Sequence, residues 1–280
     1  MAFVYMPNRQ EAVLYGGDGA TNGALGDTWI WKAGCWTRQR PTSSPGTRDG
    51  MASAFDPDHG VVVMYGGRTP GQFDTDTWLW DGTTWIQMAT GPPPQLFPSA
   101  VAGYDPVSHR VLMFGGANAW QAQTWAWDGT SWHLLSPQHS PLGRMAPTLA
   151  LDPTRDQLLL FGGNVPGQSD IHDTWVWTGS DWNQLTPATS PPGRFRATMG
   201  AWQTGKVIVL WGGVGPGIGA DAWTWDGNNW TAIASPGSVR ADAAAIDVGP
   251  KLMFFGGDGP PNNYYNDFVS WDGRHWSSES

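Results

Sequence analysis

The sequence predicts an all-β fold built from repeats, and the first two observations behind this prediction are compositional. Gly and Pro are abundant, with 38 and 23 residues, whereas the chain has only two Glu and three Lys. Straight-chain helix formers are therefore scarce, and Gly and Pro interrupt every stretch long enough for a helix. The chain also contains 20 Trp. Together with runs of Val, Leu, Met and Phe, these rings suit strands around a large apolar core.

The third observation is a pattern that recurs six times. Each copy has an apolar run that ends in Gly-Gly, then a Trp-x-Trp pair, then a turn and one more Trp. The Gly-Gly pairs begin at Gly16, Gly66, Gly115, Gly162, Gly212 and Gly256. The sixth copy keeps only Trp271 of its Trp-x-Trp pair. Copies of about 47 residues account for nearly the whole chain, as in a repeat architecture.

Each copy predicts four antiparallel strands, A to D. In the second copy we expect strands at 51–55, 61–65 and 76–80, and a fourth that starts at Trp85. Asp-Pro and Asp-Gly dipeptides between A and B and between C and D indicate tight turns. Strand A is rich in small residues, as the innermost strand of a wedge-shaped blade requires. Two Trp spaced i, i+2 lie on one face of strand C and are expected to fill the gap between blades.

These features predict a six-bladed β-propeller with four antiparallel strands per blade. It occupies residues 1–280 as one domain, with blades at approximately 1–40, 48–90, 97–137, 144–187, 194–235 and 240–280. The spacing from the last Trp of a copy to the next Gly-Gly is nearly constant. The spacing from Gly-Gly to the Trp-x-Trp pair varies, which places the variation in the B–C loop. A constant frame with divergent loops at one edge is how a repeat scaffold carries a binding surface.

The apolar strand ending in Gly-Gly, the aromatic pair on strand C, the Trp on strand D and an Arg opening strand A resemble the kelch repeat. The resemblance covers residues 1–280. It implies that the D–A and B–C loops share one face of the ring, where kelch proteins commonly bind partners. Kelch propellers include adaptors, sugar-binding and sugar-modifying proteins, copper oxidases and iron-dependent specifier proteins, so the resemblance selects no activity. Kelch propellers often build one blade from both termini. Here Met1 aligns with Met51, so we expect the ring to close by face packing.

The first candidate site residues are the arginines that open strand A: Arg48, Arg144 and Arg194, with Arg240 in a shortened loop. Phe97 replaces this Arg in the third copy. Guanidinium groups that converge on a channel mouth would bind a carboxylate through bidentate pairs. The alternative is a structural Arg that ties the D–A loop to carbonyls or to a neighbouring Asp. Strand C begins with Asp in five copies (Asp27, Asp76, Asp173, Asp221 and Asp267), for which we expect side-chain to backbone hydrogen bonds.

The second group of candidates lies in the divergent loops. It comprises Arg68, Asn118, Trp120, Asn164, Asp170, His172, Tyr264 and Tyr265. Exposed aromatic rings beside polar groups suit sugar stacking or a protein-binding hot spot. The alternative is that these side chains simply pack over the channel mouth.

Several kinds of chemistry find no support. A net charge of −9 and a pI near 4.9 argue against nucleic acid. A lone Cys35 excludes an intramolecular disulfide, and its outer position does not suit the copper oxidases of this fold. No metal-ligand spacing is present, so we predict no metal and no cofactor. No signal peptide and no membrane-spanning run are visible, which predicts a soluble chain of open compartment and no membrane partner.

Two hypotheses about function follow. The first is a non-catalytic binding module that uses the D–A and B–C loop face and the channel mouth. Its partner would be a protein segment or a small acidic or carbohydrate ligand. The second is an enzyme that acts on a sugar acid and resembles the six-bladed kelch mutarotases of sialic acid. There, arginines would hold the carboxylate, and an Asp such as Asp170 or Asp258, or His172, would move the proton. A purely structural domain is a third possibility.

Overall fold

The computed structural model describes residues 1–19, 23–69, 71–89, 94, 100–116, 122–168, 171–216, 219–260 and 263–279. Within these ranges the chain forms six four-stranded antiparallel sheets, one after another along the sequence. The described residues contain no helix, and hence none that could cross a membrane. Each sheet is one blade, which confirms the predicted six-bladed β-propeller.

The first three blades have these strands. Blade 1 contains β1 (Ala2–Met6), β2 (Glu11–Gly19), β3 (Gly23–Lys32) and β4 (Cys35–Gln39). Blade 2 contains β5 (Ala52–Asp56), β6 (Val61–Thr69), β7 (Gln72–Trp80) and β8 (Trp85–Met88). Blade 3 contains β9 (Val101–Asp105), β10 (Arg110–Gly116), β11 (Ala122–Trp127) and β12 (Trp132–Leu135).

The last three blades repeat the arrangement with shorter strands. Blade 4 contains β13 (Thr148–Asp152), β14 (Gln157–Phe161), β15 (Thr174–Trp177) and β16 (Trp182–Leu185). Blade 5 contains β17 (Thr198–Trp202), β18 (Val207–Trp211), β19 (Ala222–Trp225) and β20 (Trp230–Ile233). Blade 6 contains β21 (Ala244–Asp247), β22 (Leu252–Phe255), β25 (Phe268–Trp271) and β26 (Trp276–Glu279). Its B–C loop adds a small ribbon of β23 (Asp258–Gly259) and β24 (Asn263–Tyr264).

The first strand of every blade lies at the axis of the ring. Strands β1, β5, β9, β13, β17 and β21 contact one another in that order, and β21 contacts β1. The crowding explains the small residues of these strands. A Cβ on Gly103 would lie 2.7 Å from a methyl of Leu158, and one on Gly200 would lie 2.6 Å from the Cβ of Ala245. Larger side chains would therefore push neighbouring blades apart.

The tryptophans of each blade pack against the preceding blade, as the i, i+2 spacing predicts. Trp80 and Trp85 of blade 2, for example, share a buried cluster with Met6, Val13 and Tyr15 of blade 1. The strand-D Trp also donates its indole N–H to a buried Thr of the preceding blade. The pairs are Trp85–Thr28, Trp132–Thr77, Trp182–Thr124 and Trp230–Thr174, at 2.9–3.0 Å. These four strand-D rings thus fill the wedge between blades while their one polar atom stays bonded.

The ring closes by side-chain packing between blade 6 and blade 1. Phe3, Trp31 and Trp36 form one buried cluster with Phe255 and Phe268. The ring centroids across this boundary lie 5.0–6.1 Å apart. No strand of the described chain pairs across it, because both end blades have their own four strands. This is the face packing that the alignment of Met1 with Met51 predicts.

Candidate functional site

The four arginines that open strand A are buried and bonded to the protein, although the Nε of Arg48 has no partner among the described residues. Their side chains are at most 4% exposed. Each donates to the carbonyl oxygen of the first Gly of its Gly-Gly pair. Each also forms a bidentate pair with the first Asp of strand C. The pairs are Arg48–Asp76, Arg144–Asp173, Arg194–Asp221 and Arg240–Asp267, at 2.5–3.2 Å.

We refer to Arg48, Arg144, Arg194 and Arg240 as the repeat arginines, and their backbone explains the Gly-Gly pair. The carbonyl oxygen of Arg194 accepts from the N–H of Gly163 in the preceding blade, at 2.8 Å. Gly162 beside it has a φ of +62°, and a Cβ there would lie 2.3 Å from the same oxygen. Only Gly tolerates this conformation and this close approach. The backbone of a repeat arginine thus connects two blades, and the burial of its side chain and its pairing with Asp favour the structural of its two predicted roles.

The sequence predicts that the Asp at the start of strand C bonds backbone groups. In the structure, the partners of these aspartates are side chains. Four of the five accept the indole N–H of the Trp two residues later, as in Trp223 to Asp221 at 2.8 Å, whereas Asp267 is followed by Val269. Burial alone would raise the pKa of Asp221, but its bonds from Arg194 and Trp223 hold it below the usual value. In the third copy, where Phe97 replaces the Arg, neutral Gln123 replaces the Asp and accepts from Trp125 at 3.0 Å.

A rim of residues surrounds one end of the channel. It lies two positions after the repeat arginines, where the chain enters strand A at the axis. Gly50, Ala146, Arg196 and Asp242 all have left-handed φ values there, between 46° and 67°. Their backbones are linked around the ring, because Arg196 N–H donates to Ala146 at 3.0 Å and Asp242 N–H donates to Arg196 at 2.9 Å. A left-handed Arg or Asp is uncommon and is found most often where the surrounding structure enforces it.

The B–C loops meet the same rim. In each case the residue after a repeat arginine forms a β-bridge with the residue after the Gly-Gly pair. The bridges are Asp49–Arg68, Met145–Asn164, Phe195–Val214 and Ala241–Asp258. The D–A and B–C loops therefore share one face, as the resemblance implies.

Charged side chains of this face form what we call the mouth cluster: Asp18, Asp49, Arg68, Arg196, Asp242, Asp258 and Tyr264. Arg196 bridges Asp242 and Asp258 at 2.7 Å each. Arg68 pairs with Asp49 at 3.1 Å, and the Tyr264 hydroxyl donates to Asp18 at 3.3 Å. Unlike the repeat arginines, Arg68 and Arg196 are 56% and 34% exposed. Four carboxylates against two guanidinium groups leave the described mouth with an excess of negative charge.

Proton affinities in the mouth cluster follow from this crowding. Surrounding protein atoms raise the pKa of Asp242 above the usual carboxyl range, and nearby Asp258 adds to this, although Arg196 opposes it. Burial disfavours the charge on Arg196, yet the two carboxylates outweigh it and raise the pKa of the guanidinium. The negative charge of Asp18 raises the pKa of the Tyr264 phenol.

The structure brings some of the loop candidates together and not others. Arg68 and Tyr264 belong to the mouth cluster, and Asn164 lies at the rim through its bridge to Met145. The ring of Tyr265 instead packs 3.9 Å from the guanidinium of Arg240. The backbone carbonyl of His172 accepts from the Ser190 hydroxyl at 2.9 Å, which ties two loops together. Asn118, Trp120 and Asp170 lie outside the described residues.

Sequence inspection missed four members of the mouth cluster: Asp18, Asp49, Arg196 and Asp242. A signal for two of them was present. When the four repeat arginines are aligned, the residues two positions later are Gly50, Ala146, Arg196 and Asp242. A charged residue in place of Gly marks a position with a role other than turn formation. Among the described residues, no group of His, Cys, Asp and Glu has the arrangement of a metal site.

The class of protein that this geometry defines is the six-bladed β-propeller. Comparison with family models and with curated proteins gives no match. Among solved structures, the chain is similar to one described as the structure of YjhT, with a TM-score of 0.73 and 16% identity. The match covers 99% of this chain and 96% of that one. In all, 373 solved chains match. A fold so widely shared leaves the function to be argued from the site.

Proposed function

We propose that this chain is a kelch-type propeller that acts as a non-catalytic binding module and takes a protein segment on its loop face. The observation that carries the proposal is the placement of exposed apolar side chains. Of the nine large ones among the described residues, six lie in D–A or B–C connections or in the strand segments that border them: Leu25, Phe73, Leu142, Met145, Val214 and Tyr264. Apolar side chains concentrated around a charged centre are typical of a protein-binding surface.

The charge of the mouth cluster supports a segment with a basic residue. An acidic ligand would rely on the repeat arginines, whose guanidinium groups already pair with Asp and whose side chains are buried. The four carboxylates of the mouth cluster favour a Lys or Arg instead, which could approach Asp242 and Asp258 without unfolding a blade. Complementary charge of this kind sets orientation and association rate. A small acidic or carbohydrate ligand stays a prediction for the same face.

The kelch assignment is supported by the way its sequence features meet. The Arg, the Gly-Gly pair and the first Trp of strand C resemble separate elements of the repeat. In the structure they form one contact, in which Arg194 bonds the carbonyl oxygen of Gly212 and, through Asp221, is linked to Trp223. Blades 2, 4 and 5 share this arrangement, and blade 6 shares it without the Trp, so the resemblance extends to the bonds that join strands A, B and C within a blade.

Selection from a random peptide library on the immobilised chain tests the proposal. We expect enriched peptides to carry a basic residue flanked by apolar ones. Calorimetry should show that Asp242→Asn with Asp258→Asn weakens binding at least about tenfold. Met145→Ala with Val214→Ala should do the same. Asp156→Asn and Ile86→Ala, which change exposed residues away from the loop face, are the matched controls. Enrichment of acidic peptides, or binding unaffected by the mouth variants, would contradict the proposal.

One observation favours the second candidate, an enzyme that acts on a sugar acid. Asp242 has a raised pKa and lies beside Arg196. A carboxyl that holds its proton at higher pH can serve as a general acid, and an adjacent guanidinium can bind a substrate carboxylate. NMR exchange between the anomers of sialic acid and of uronic acids tests this function. A rate above that of buffer, lost in Asp242→Asn and retained in Asp156→Asn, would establish it; a rate equal to buffer would exclude it for these sugars.

A further inference from the structure

Blade 1 differs from blades 2 to 5 where strand β4 ends, opposite Thr28 of β3. In blades 2 to 5, strand D has a large apolar residue opposite the strand-C residue that lies three positions before the second Trp. These strand-D residues are Met88, Leu135, Leu185 and Ile233. These side chains pack against the inter-blade clusters. Blade 1 has Gln39 at this position, opposite Thr28. A polar side chain therefore takes the place of the apolar residue of blades 2 to 5, as also in blade 6, where Glu279 lies opposite Phe268 but is bonded by Lys251 and Ser270.

The charged residues around Gln39 are also specific to blade 1. Arg38 and Arg40 flank it on β4 and the adjoining loop, and both are exposed. The ladder register pairs Arg38 with Trp29, where the equivalent residues of blades 2 to 5 are Gln87, Leu134, Gln184 and Ala232. Within the described chain neither Arg38 nor Arg40 forms an ion pair, in contrast to the repeat arginines and to Arg68 and Arg196.

Asp27 completes the group. It begins the Trp-x-Trp segment of blade 1, as Asp76 does in blade 2, and accepts the indole N–H of Trp29 at 2.7 Å. Its second carboxylate oxygen has no hydrogen-bond donor among the described residues, whereas Asp76 is paired with Arg48 through both oxygens. An acceptor is thus available beside two guanidinium groups.

These departures coincide with a cleft, which we call the blade 1 cleft. It consists of two cavities of about 270 and 470 Å³ that share Gly26, Asp27 and Arg38. Gln39, Arg40 and Ser44 also line it. The larger volume lies in the lower part of the range of about 300–1,000 Å³ for ligand sites and the smaller one just below it, which suits a small ligand. Two Arg against one Asp make this cleft locally positive on a chain whose net charge is −9.

We propose that the blade 1 cleft binds a small hydroxylated carboxylate of the uronic acid type. Arg38 and Arg40 hold the carboxylate, since a guanidinium group presents paired donors that match its two oxygens. Gln39 and the free oxygen of Asp27 bond the ring hydroxyls, which both donate and accept. This site is separate from the mouth cluster and does not depend on the function proposed there.

Calorimetry of the full chain with sodium D-glucuronate tests the proposal, with D-glucose and acetate as comparison ligands. We expect glucuronate to bind more tightly than either, because only glucuronate has both the carboxylate and the ring hydroxyls. Arg38→Ala with Arg40→Ala should weaken binding about tenfold or more. Arg274→Ala, which alters an exposed arginine of blade 6, should leave it unchanged.

Gln39→Leu keeps the test independent of folding. It restores the residue that blades 3 and 4 have at this position, so the variant should melt at or above the temperature of the parent chain while losing glucuronate binding. Glucose binding as tight as glucuronate binding would overturn the proposal. So would glucuronate binding that survives both Gln39→Leu and the double arginine variant.

Discussion

Arg194 and Arg196 are two residues apart, and both pair with aspartates at similar distances. Arg194 lies 2.6 Å from Asp221, and Arg196 lies 2.7 Å from Asp242 and from Asp258. The Arg194 side chain is fully buried, whereas that of Arg196 is 34% exposed. Arg194 also bonds two carbonyl oxygens, which fixes its position between blades. The length of an ion pair therefore does not reveal its role, but its burial and its other partners do.

The difference has an energetic basis. Removing one partner of a buried pair leaves the other charge without compensation in a medium of low polarity. Removing one partner of an exposed pair lets water solvate the other, so little stability is lost. Residues like Arg194 therefore stabilise the ring, and residues like Arg196 remain available for a partner.

The largest effect is expected for Arg194→Ala. Because the carboxylate of Asp221 would lose its cation, we expect unfolding free energy to fall by about 3 kcal/mol, the lower end for buried pairs. The lower end applies because the Asp221 side chain keeps 36% exposure. Urea denaturation followed by Trp fluorescence measures it. Arg196→Ala is the control, with a loss of at most about 1 kcal/mol. Equal losses in the two variants would remove the distinction between them.

A smaller effect is expected when the comparison is extended to neutral pairs. Trp182 and Trp80 are both fully buried, but Trp182 donates to Thr124 at 2.9 Å and the indole N–H of Trp80 has no partner in the described chain. Replacement by Phe removes similar volume from both sites. We expect Trp182→Phe to cost about 1 kcal/mol more than Trp80→Phe, because it also leaves a buried hydroxyl unpaired. Parallel thermal melts decide this, and a greater loss in Trp80→Phe would contradict it.

Acid should weaken the buried pairs. The bond from Arg240 lowers the pKa of Asp267, and Arg194 and Trp223 lower that of Asp221 against the effect of burial. A carboxyl with a lowered folded-state pKa contributes stability above its unfolded pKa of about 3.9, and this is lost as pH falls through the folded value. Melting temperature should therefore drop below about pH 4. Arg194→Ala should show a shallower drop, and an unchanged profile in that variant would argue against the pair. Asp242, with its raised pKa, acts in the opposite direction, since protonation favours its folded state.

The smallest effect concerns the rim. Gly50 and Ala146 occupy equivalent positions with φ values of 67° and 46°. We expect Ala146→Gly to stabilise the chain by up to about 1 kcal/mol and Gly50→Ala to destabilise it by a similar amount, because only Gly adopts this conformation without steric cost. Differential scanning calorimetry of both variants checks the sign. Identical signs would mean that the backbone at the rim is not under strain.

The fold was predictable because six copies repeat the same constraints. The i, i+2 spacing of the Trp pair places both rings on one face of strand C. The small residues of strand A place that strand next to the axis of the ring. Strand ends were less predictable: the second strand of blade 2 runs from Val61 to Thr69, past the predicted end at residue 65, because a bulge at Gly66 and Gly67 lets the ladder continue into the B–C loop. The repeat pattern does not predict this extension, because the second strands of blades 4 and 5 end at Phe161 and Trp211.

The candidate site was less predictable than the fold. Arg144 and Asp173 are 29 residues apart, and the variable B–C loop between them conceals their pairing. Arg196 and Asp242 stand in no repeated motif of charged residues, because the other copies have Gly50 and Ala146 in their places. Their convergence depends on the packing of blade 5 against blade 6, which brings residues 46 positions apart within hydrogen-bonding distance. Only the three-dimensional arrangement contains that information.

The boundary between blade 6 and blade 1 is a place where the ring can open without breaking the chain. Successive blades elsewhere are covalently continuous, whereas in the described chain this boundary is held by the packing of Phe3, Trp36, Phe255 and Phe268 and by the hydrogen bond from Tyr264 to Asp18. If it separates, each molecule presents two unlike aromatic surfaces that fit each other. Such heterologous surfaces can join molecules head to tail, so concentration and temperature would decide between closed monomers and open chains. The aromatic residues that close the ring without strand exchange can therefore also join separate molecules into a polymer.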